Sequence, residues 1–205
     1  MFTLQETHYA TKGKVIIEDF EIFESIRKGK QKGGTMIGAH RALKPILINE
    51  LNDPFEILVV EITVANKNIR VISGYGPQEN WSPIQREPFF HALEEEIVKA
   101  EIEGKSIIIE AEFNSKLGKE FIPNDPHPQD KNGKLLADII KRQKLTVANV
   151  LAVCQGVITT KRVTSQRTEE SITSFVLLNE DLVEIFESVI IDDKRKKCVN
   201  QNNQN

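Results

Sequence analysis

The chain has 205 residues, the length of one domain or two small ones, and its 40% apolar and 28% charged side chains exclude a disordered composition. Its longest apolar runs, 57–60, 150–154 and 175–178, fall far short of the roughly 18 residues that a membrane-spanning helix needs. With 27 basic and 30 acidic side chains the net charge is −3, so bulk electrostatics do not mark a polyanion binder, and such a partner needs a local patch or metal ions.

In chain order, Leu4-Gln5-Glu6-Thr7-His8 reads as a strand end followed by polar residues. Gly33-Gly34-Thr35-Met36-Ile37-Gly38 reads as a short strand whose glycines permit close packing or unusual φ. Residues 58–64 and 69–75 are β-branched runs separated by a tight turn, a hairpin. Residues 86–103 carry Phe89, Leu93, Ile97 and Ala100 at helical spacing, with Pro88 in the first turn and Gly104 as the stop. A buried strand over 106–113 follows. Residues 124–130, with two prolines, read as a surface loop, and 133–144 as a second helix. Strands are expected at 145–150, 156–163 and 172–178. The charged and Asn/Gln-rich residues 194–205 read as a disordered tail after a domain at 1–193. No internal repeat is found. Strands interleaved with helices predict a layered α/β or α+β domain.

The first residues lack the basic and apolar regions of a leader, and Cys154 and Cys198 sit 44 positions apart, in no zinc or disulfide pattern. An intracellular protein, nuclear or cytoplasmic, is expected.

Three segments place polar groups at strand ends. Glu6 is either a ligand for a hard cation or a surface carboxylate. Glu112 and Asn114, two apart, fall on one side of a continuous strand. They either handle a metal, a water or a phosphate, or cap the next loop. Tyr75, beside Gly76-Pro77, either touches a phosphate or base or packs on the rim.

Taken in order, these segments resemble the endonuclease/exonuclease/phosphatase superfamily, most of all the apurinic-type endonuclease domain of non-LTR retrotransposon polyproteins. The matching residues are Leu4-Gln5-Glu6-Thr7-His8, Gly33-Gly34-Thr35-Met36-Ile37 and Ser73-Gly74-Tyr75-Gly76-Pro77. Further on they are Ala111-Glu112-Phe113-Asn114-Ser115-Lys116-Leu117-Gly118, Asn132-Gly133-Lys134-Leu135-Leu136 and Ser171-Ile172-Thr173-Ser174-Phe175-Val176-Leu177. The resemblance implies a four-layer sandwich of two mixed β-sheets flanked by helices. It implies Mg²⁺- or Mn²⁺-dependent hydrolysis of DNA phosphodiesters. Glu6 and Glu112 would hold metal, Tyr75 would contact the scissile phosphate, Glu112 would position the attacking water and Asn114 would stabilise the transition state. A parent polyprotein with reverse transcriptase is the implied setting.

The match also departs from the family. Its first strand and helix, and its last strand with Ser-Asp-His, have no counterpart. Ala111-Glu112 replaces Gly-Asp, and Ser174 replaces an aspartate. A degenerate site of weak or no activity is therefore expected, with a non-catalytic domain that binds nucleic acid or protein as the alternative. For that alternative, Arg27, Lys28, Arg41, Lys44, Lys161, Arg162 and Arg167 are the candidate phosphate contacts.

Overall fold

A computed structural model of the chain describes residues 1–8, 13, 15–26, 33–51, 55–123, 125, 127–155, 159–163, 168–185 and 187–190. In chain order the elements are β1 (Phe2–Gln5), β2 (Phe20–Ser25), β3 (Thr35–His40), β4 (Ile46–Leu51), β5 (Ile57–Val64) and β6 (Lys67–Tyr75). Helix α1 (Pro83–Ile102), β7 (Ser106–Glu112), α2 (Lys131–Arg142), β8 (Thr146–Val147) and β9 (Cys154–Gln155) follow. The last are β10 (Thr160–Val163), β11 (Thr168–Ser171), β12 (Ser174–Leu178), the short α3 (Glu180–Val183) and β13 (Val189–Ile190).

Two sheets form a sandwich. A mixed six-stranded sheet runs β4-β5-β6-β7-β12-β8, and a three-stranded antiparallel sheet runs β1-β3-β2. Hairpin β10-β11 and the parallel pair β13-β9 stand apart. The central strands read as continuous apolar runs because both faces are covered. Ile57, Val59, Ile72, Ile107, Ile109, Phe175 and Leu177 face α1 and α2. Leu58, Val60, Val71, Ile108 and Leu178 face the other way, onto Ile37 and Ala39 of β3. The two-residue period thus divides one sheet between two cores. The 57–75 hairpin closes on Ala65-Asn66, both at positive φ, as a two-residue turn matched to strand twist requires.

Several boundaries differ from the sequence expectation. Helix α1 starts at Pro83, not residue 86. The Gln85 carboxamide accepts from the Ser82 amide and hydroxyl, and Pro83 occupies the first helical position. Pro88 therefore lies inside the helix, one turn after Ile84, which is 87% exposed. Helix α2 starts at Lys131, because Asp130 caps it through the Gly133 amide at 2.6 Å.

The strand expected at 145–150 shortens to β8. A 3₁₀ turn follows, in which Asn149 replaces backbone pairing by accepting from Val176 N and donating to Ser174 O. Gly33 and Gly34 precede β3 rather than joining it. Residues 168–171 form β11, and β12 begins only at Ser174. Strands β2 and β4 carry no signal in the sequence. β4 is an edge strand without clean alternation, and Ile46, Leu47 and Ile48 are all exposed.

Within the expected surface loop, Asp125 is fully buried and its carboxylate accepts from the His127 amide. Residues 156–158, Arg27, Lys28, Arg167, Cys198 and the tail 194–205 lie outside the described residues, as do the Lys161 and Arg162 side chains. Among the described residues, no helix is long and apolar enough to cross a membrane.

Candidate functional site

Strand alternation lines up one row of polar groups at the mouth between the two sheets. Tyr75, last in β6, pairs beside Glu112, last in β7, and Glu112 pairs opposite Ser174, first in β12. All three lie on the alternation that carries Val71, Ile108 and Leu178 into the inter-sheet core.

Glu6 reaches this mouth from the other sheet. After β1 the backbone turns through positive φ at Glu6 and His8, while Thr7 N and His8 N still donate to Gly34 O and Gly33 O. Gly33 and Gly34 also have positive φ, and the buried Glu56 carboxylate sits against them. It accepts from Gly34 N at 2.7 Å, and a Cβ on Gly33 would lie 2.5 Å from Glu56 Oε2. A side chain at Gly33 is strained by conformation and would have to displace the Glu56 carboxylate. Further back, Gln5 donates to Ser73 Oγ and Glu110 O, and Thr35 Oγ1 lies 2.6 Å from Ser73 Oγ. These bonds tie β1 and β3 to β6 and β7 directly behind Glu6.

Tyr75 Oη donates to Glu6 Oε1 at 2.5 Å. Burial pushes the phenol above its ordinary pKa, and the hydrogen bond to Glu6 and the charges of Glu6 and Glu112 add to this, against an opposing hydrogen bond with Asn114. The phenol therefore stays protonated and acts as a donor.

Asn114 is close to Tyr75, but not because it shares a strand face with Glu112. β7 ends at Glu112, and Asn114 turns into the left-handed region at φ 48°. Its amide donates to Gly76 O at 2.8 Å. Asn132 then holds both loops, donating to Pro77 O at 2.7 Å and to Asn114 O at 3.0 Å. Asn132 stands in a motif of the sequence, yet nothing in its spacing announces this clamp.

The Glu112 carboxylate meets β12 on one oxygen and the residue just before that strand on the other. Thr173 Oγ1 donates to Oε1 at 2.7 Å and Ser174 Oγ donates to Oε2 at 3.0 Å. Thr159 Oγ1 accepts from Thr173 N and Ser174 N at 2.8 and 3.1 Å. Antiparallel register makes Ser174 readable as a partner of Glu112, whereas Thr159 leaves no signal in the sequence.

Glu6 and Glu112 flank Tyr75 and offer hard carboxylate oxygens of the kind Mg²⁺ takes in small number, beside water and phosphate. Among the described residues, no group of three or more His, Cys, Asp or Glu side chains could hold a metal ion. Two carboxylates are a donor set that a hard cation completes with water or phosphate oxygens. His127, half-buried, approaches Glu170 O through Nε2 at 3.2 Å, and His8 is exposed.

No protein-family model and no curated protein matches the chain. Solved structures do. The endonuclease domain of TRAS1, a telomere-specific non-LTR retrotransposon, is 20% identical with a TM-score of 0.60, over 82% of this chain and 70% of that one. The catalytic domain of Xenopus laevis APE2 is 16% identical with a TM-score of 0.66, over 89% and 74%. A variant of the 3′ phosphatase NExo from Neisseria, bound to a product DNA hairpin, is 17% identical with a TM-score of 0.59, over 88% and 76%. With its two facing sheets, its helical flank and its polar mouth at the strand ends, the chain has the endonuclease/exonuclease/phosphatase fold.

Proposed function

We propose that this chain is a metal-dependent phosphodiester hydrolase of the DNA-endonuclease type, derived from a non-LTR retroelement and slowed by the exchanges at positions 112 and 174. The observation that supports it best is the convergence of Glu6, Tyr75, Asn114 and Glu112, drawn from both sheets, on one mouth. DNA is the proposed substrate, in keeping with the hairpin bound to the Neisseria phosphatase. A polyprotein that also carries reverse transcriptase is the proposed setting.

In this reading Glu6 and Glu112 hold the ion, Mg²⁺ or Mn²⁺. When bound, the ion neutralises charge on the phosphate. Tyr75, kept protonated, turns its one proton from Glu6 to a phosphate oxygen when the ion takes up the Glu6 carboxylate. The Asn114 amide adds a second donor as charge builds there. Glu112 orients the attacking water by accepting a hydrogen bond from it.

The test is nicking of supercoiled plasmid with Mg²⁺ and with chelator, beside Glu6→Ala. Mg²⁺-dependent nicking that Glu6→Ala removes supports the proposal. No nicking by a cooperatively melting wild-type chain overturns it. A second reading, binding of DNA or protein without catalysis, is favoured by one observation: a neutral Ser174 hydroxyl stands against Glu112. It predicts DNA binding that survives chelation and Glu112→Ala.

A further inference from the structure

Glu112 is the last residue of its strand, and a strand-end side chain facing water ordinarily samples several rotamers. Here both carboxylate oxygens are engaged, by the first residue of β12 and the residue just before it. Thr173 takes Oε1 at 2.7 Å and Ser174 takes Oε2 at 3.0 Å. The donors are themselves fixed. Thr173 O accepts from Phe113 N at 2.9 Å, closing the ladder beyond β7, and the Thr159 hydroxyl gathers the amides of Thr173 and Ser174.

We propose that Thr173 and Ser174 are positioning residues that set the carboxylate plane of Glu112 at the mouth, with Thr159 holding them in turn. This rests on the hydrolase reading for its consequence in turnover, but not for the contact. A glutamate is one methylene longer than an aspartate, and a serine hydroxyl ends closer to its backbone than a carboxylate does. The long acid and the short alcohol therefore meet across directly opposed strand positions. The charged acceptor strengthens both bonds.

The experiment uses the full chain with Thr173→Val, Ser174→Ala, the double variant and the conservative Thr173→Ser. Plasmid nicking is followed as kcat and KM for DNA, and folding by thermal melting. The expected result is a fall in kcat of about ten-fold for each single variant and about 100-fold for the double, the scale of a misplaced catalytic group. KM and melting temperature should hold, and Thr173→Ser should restore turnover. Unchanged kcat in the double variant overturns the proposal. A fall in kcat that comes only with lost melting cooperativity, and that Thr173→Ser does not rescue, also overturns it.

If the wild-type chain does not nick, the hydrolase reading fails and the ¹³C resonance of the Glu112 side-chain carboxyl decides this inference separately. Displacement of that resonance in the double variant, with the other carboxyls unmoved, upholds it. An unmoved resonance overturns it.

Discussion

Tyr75 and Glu6 stand 69 positions apart in the chain and on different sheets, yet the Tyr75 phenol donates to the Glu6 carboxylate at 2.5 Å. That bond closes the mouth of the sandwich. After burial, it is what keeps the phenol protonated, and it occupies one carboxylate oxygen. Tyr75→Phe removes one donor aimed into the mouth, and its expected cost in nicking is about 10²-fold in kcat. Glu6→Gln keeps the shape and removes the charge. It is expected to raise the Mg²⁺ concentration for half-maximal nicking, read from a Mg²⁺ titration of the initial rate.

The Asn132 side chain is fully buried, and its amide nitrogen serves the Pro77 and Asn114 carbonyls at once. Asn132→Leu conserves approximate volume and leaves both carbonyls without a donor. Each orphaned acceptor costs about 1–3 kcal/mol. The expected outcome is a lower urea midpoint together with a fall in kcat, because Asn114 loses its anchor. KM for DNA should change little.

Gly133 sits against Lys116, and a Cβ at position 133 would collide with the Lys116 carbonyl oxygen. Asp130 ties the same two segments, accepting from Lys116 N and Gly133 N. The clash is with backbone that Asp130 holds in place, so Gly133→Ala is expected to destabilise by about 1–3 kcal/mol, the range of overpacked sites. Lys134→Ala, at the neighbouring exposed position, is the control and should stay within about 0.5 kcal/mol. Denaturant unfolding of the two variants checks this.

Glu110 lies on the inter-sheet face of β7, two residues before Glu112. Burial raises its pKa above the ordinary 4.5, against an opposing hydrogen bond with Thr3. The folded state therefore holds this proton more tightly than the unfolded chain does. Its favourable contribution is complete below the unfolded value and is lost as pH rises through the folded one. Glu110→Gln keeps an acceptor for Thr3 and removes the half-buried charge. It is expected to raise the melting temperature at pH 7, leave it nearly unchanged at pH 4 and flatten the slope between them. A thermal melt series across that range is the measurement.

Much of the fold is legible in the chain. β5, β6 and β7 declare themselves by composition, and the existence of both long helices follows from their periodicity. Their starts do not, because a cap acts through side chains upstream of the apolar stripe: Ser82 with Gln85, and Asp130 with Gly133. β4 escapes notice because an edge strand whose first three aliphatic residues are all exposed, while its polar residues are half-buried, carries no two-residue pattern. Glu6, Tyr75, Glu112 and Asn114 each stand out in the chain, and they do meet. Strand parity is the wrong reason for Asn114, since a left-handed turn brings it to Tyr75.

Local sterics act over a few residues, so the chain alone is enough to specify the central strands, the two-faced sheet and the polar residues at strand ends. Which of those polar groups touch depends on strand register and on how one sheet lies over the other. Those follow from the packing of both cores together, not from any short window. Only in the folded molecule does Ser174 stand opposite Glu112, Asn132 span two loops and Glu6 reach Tyr75.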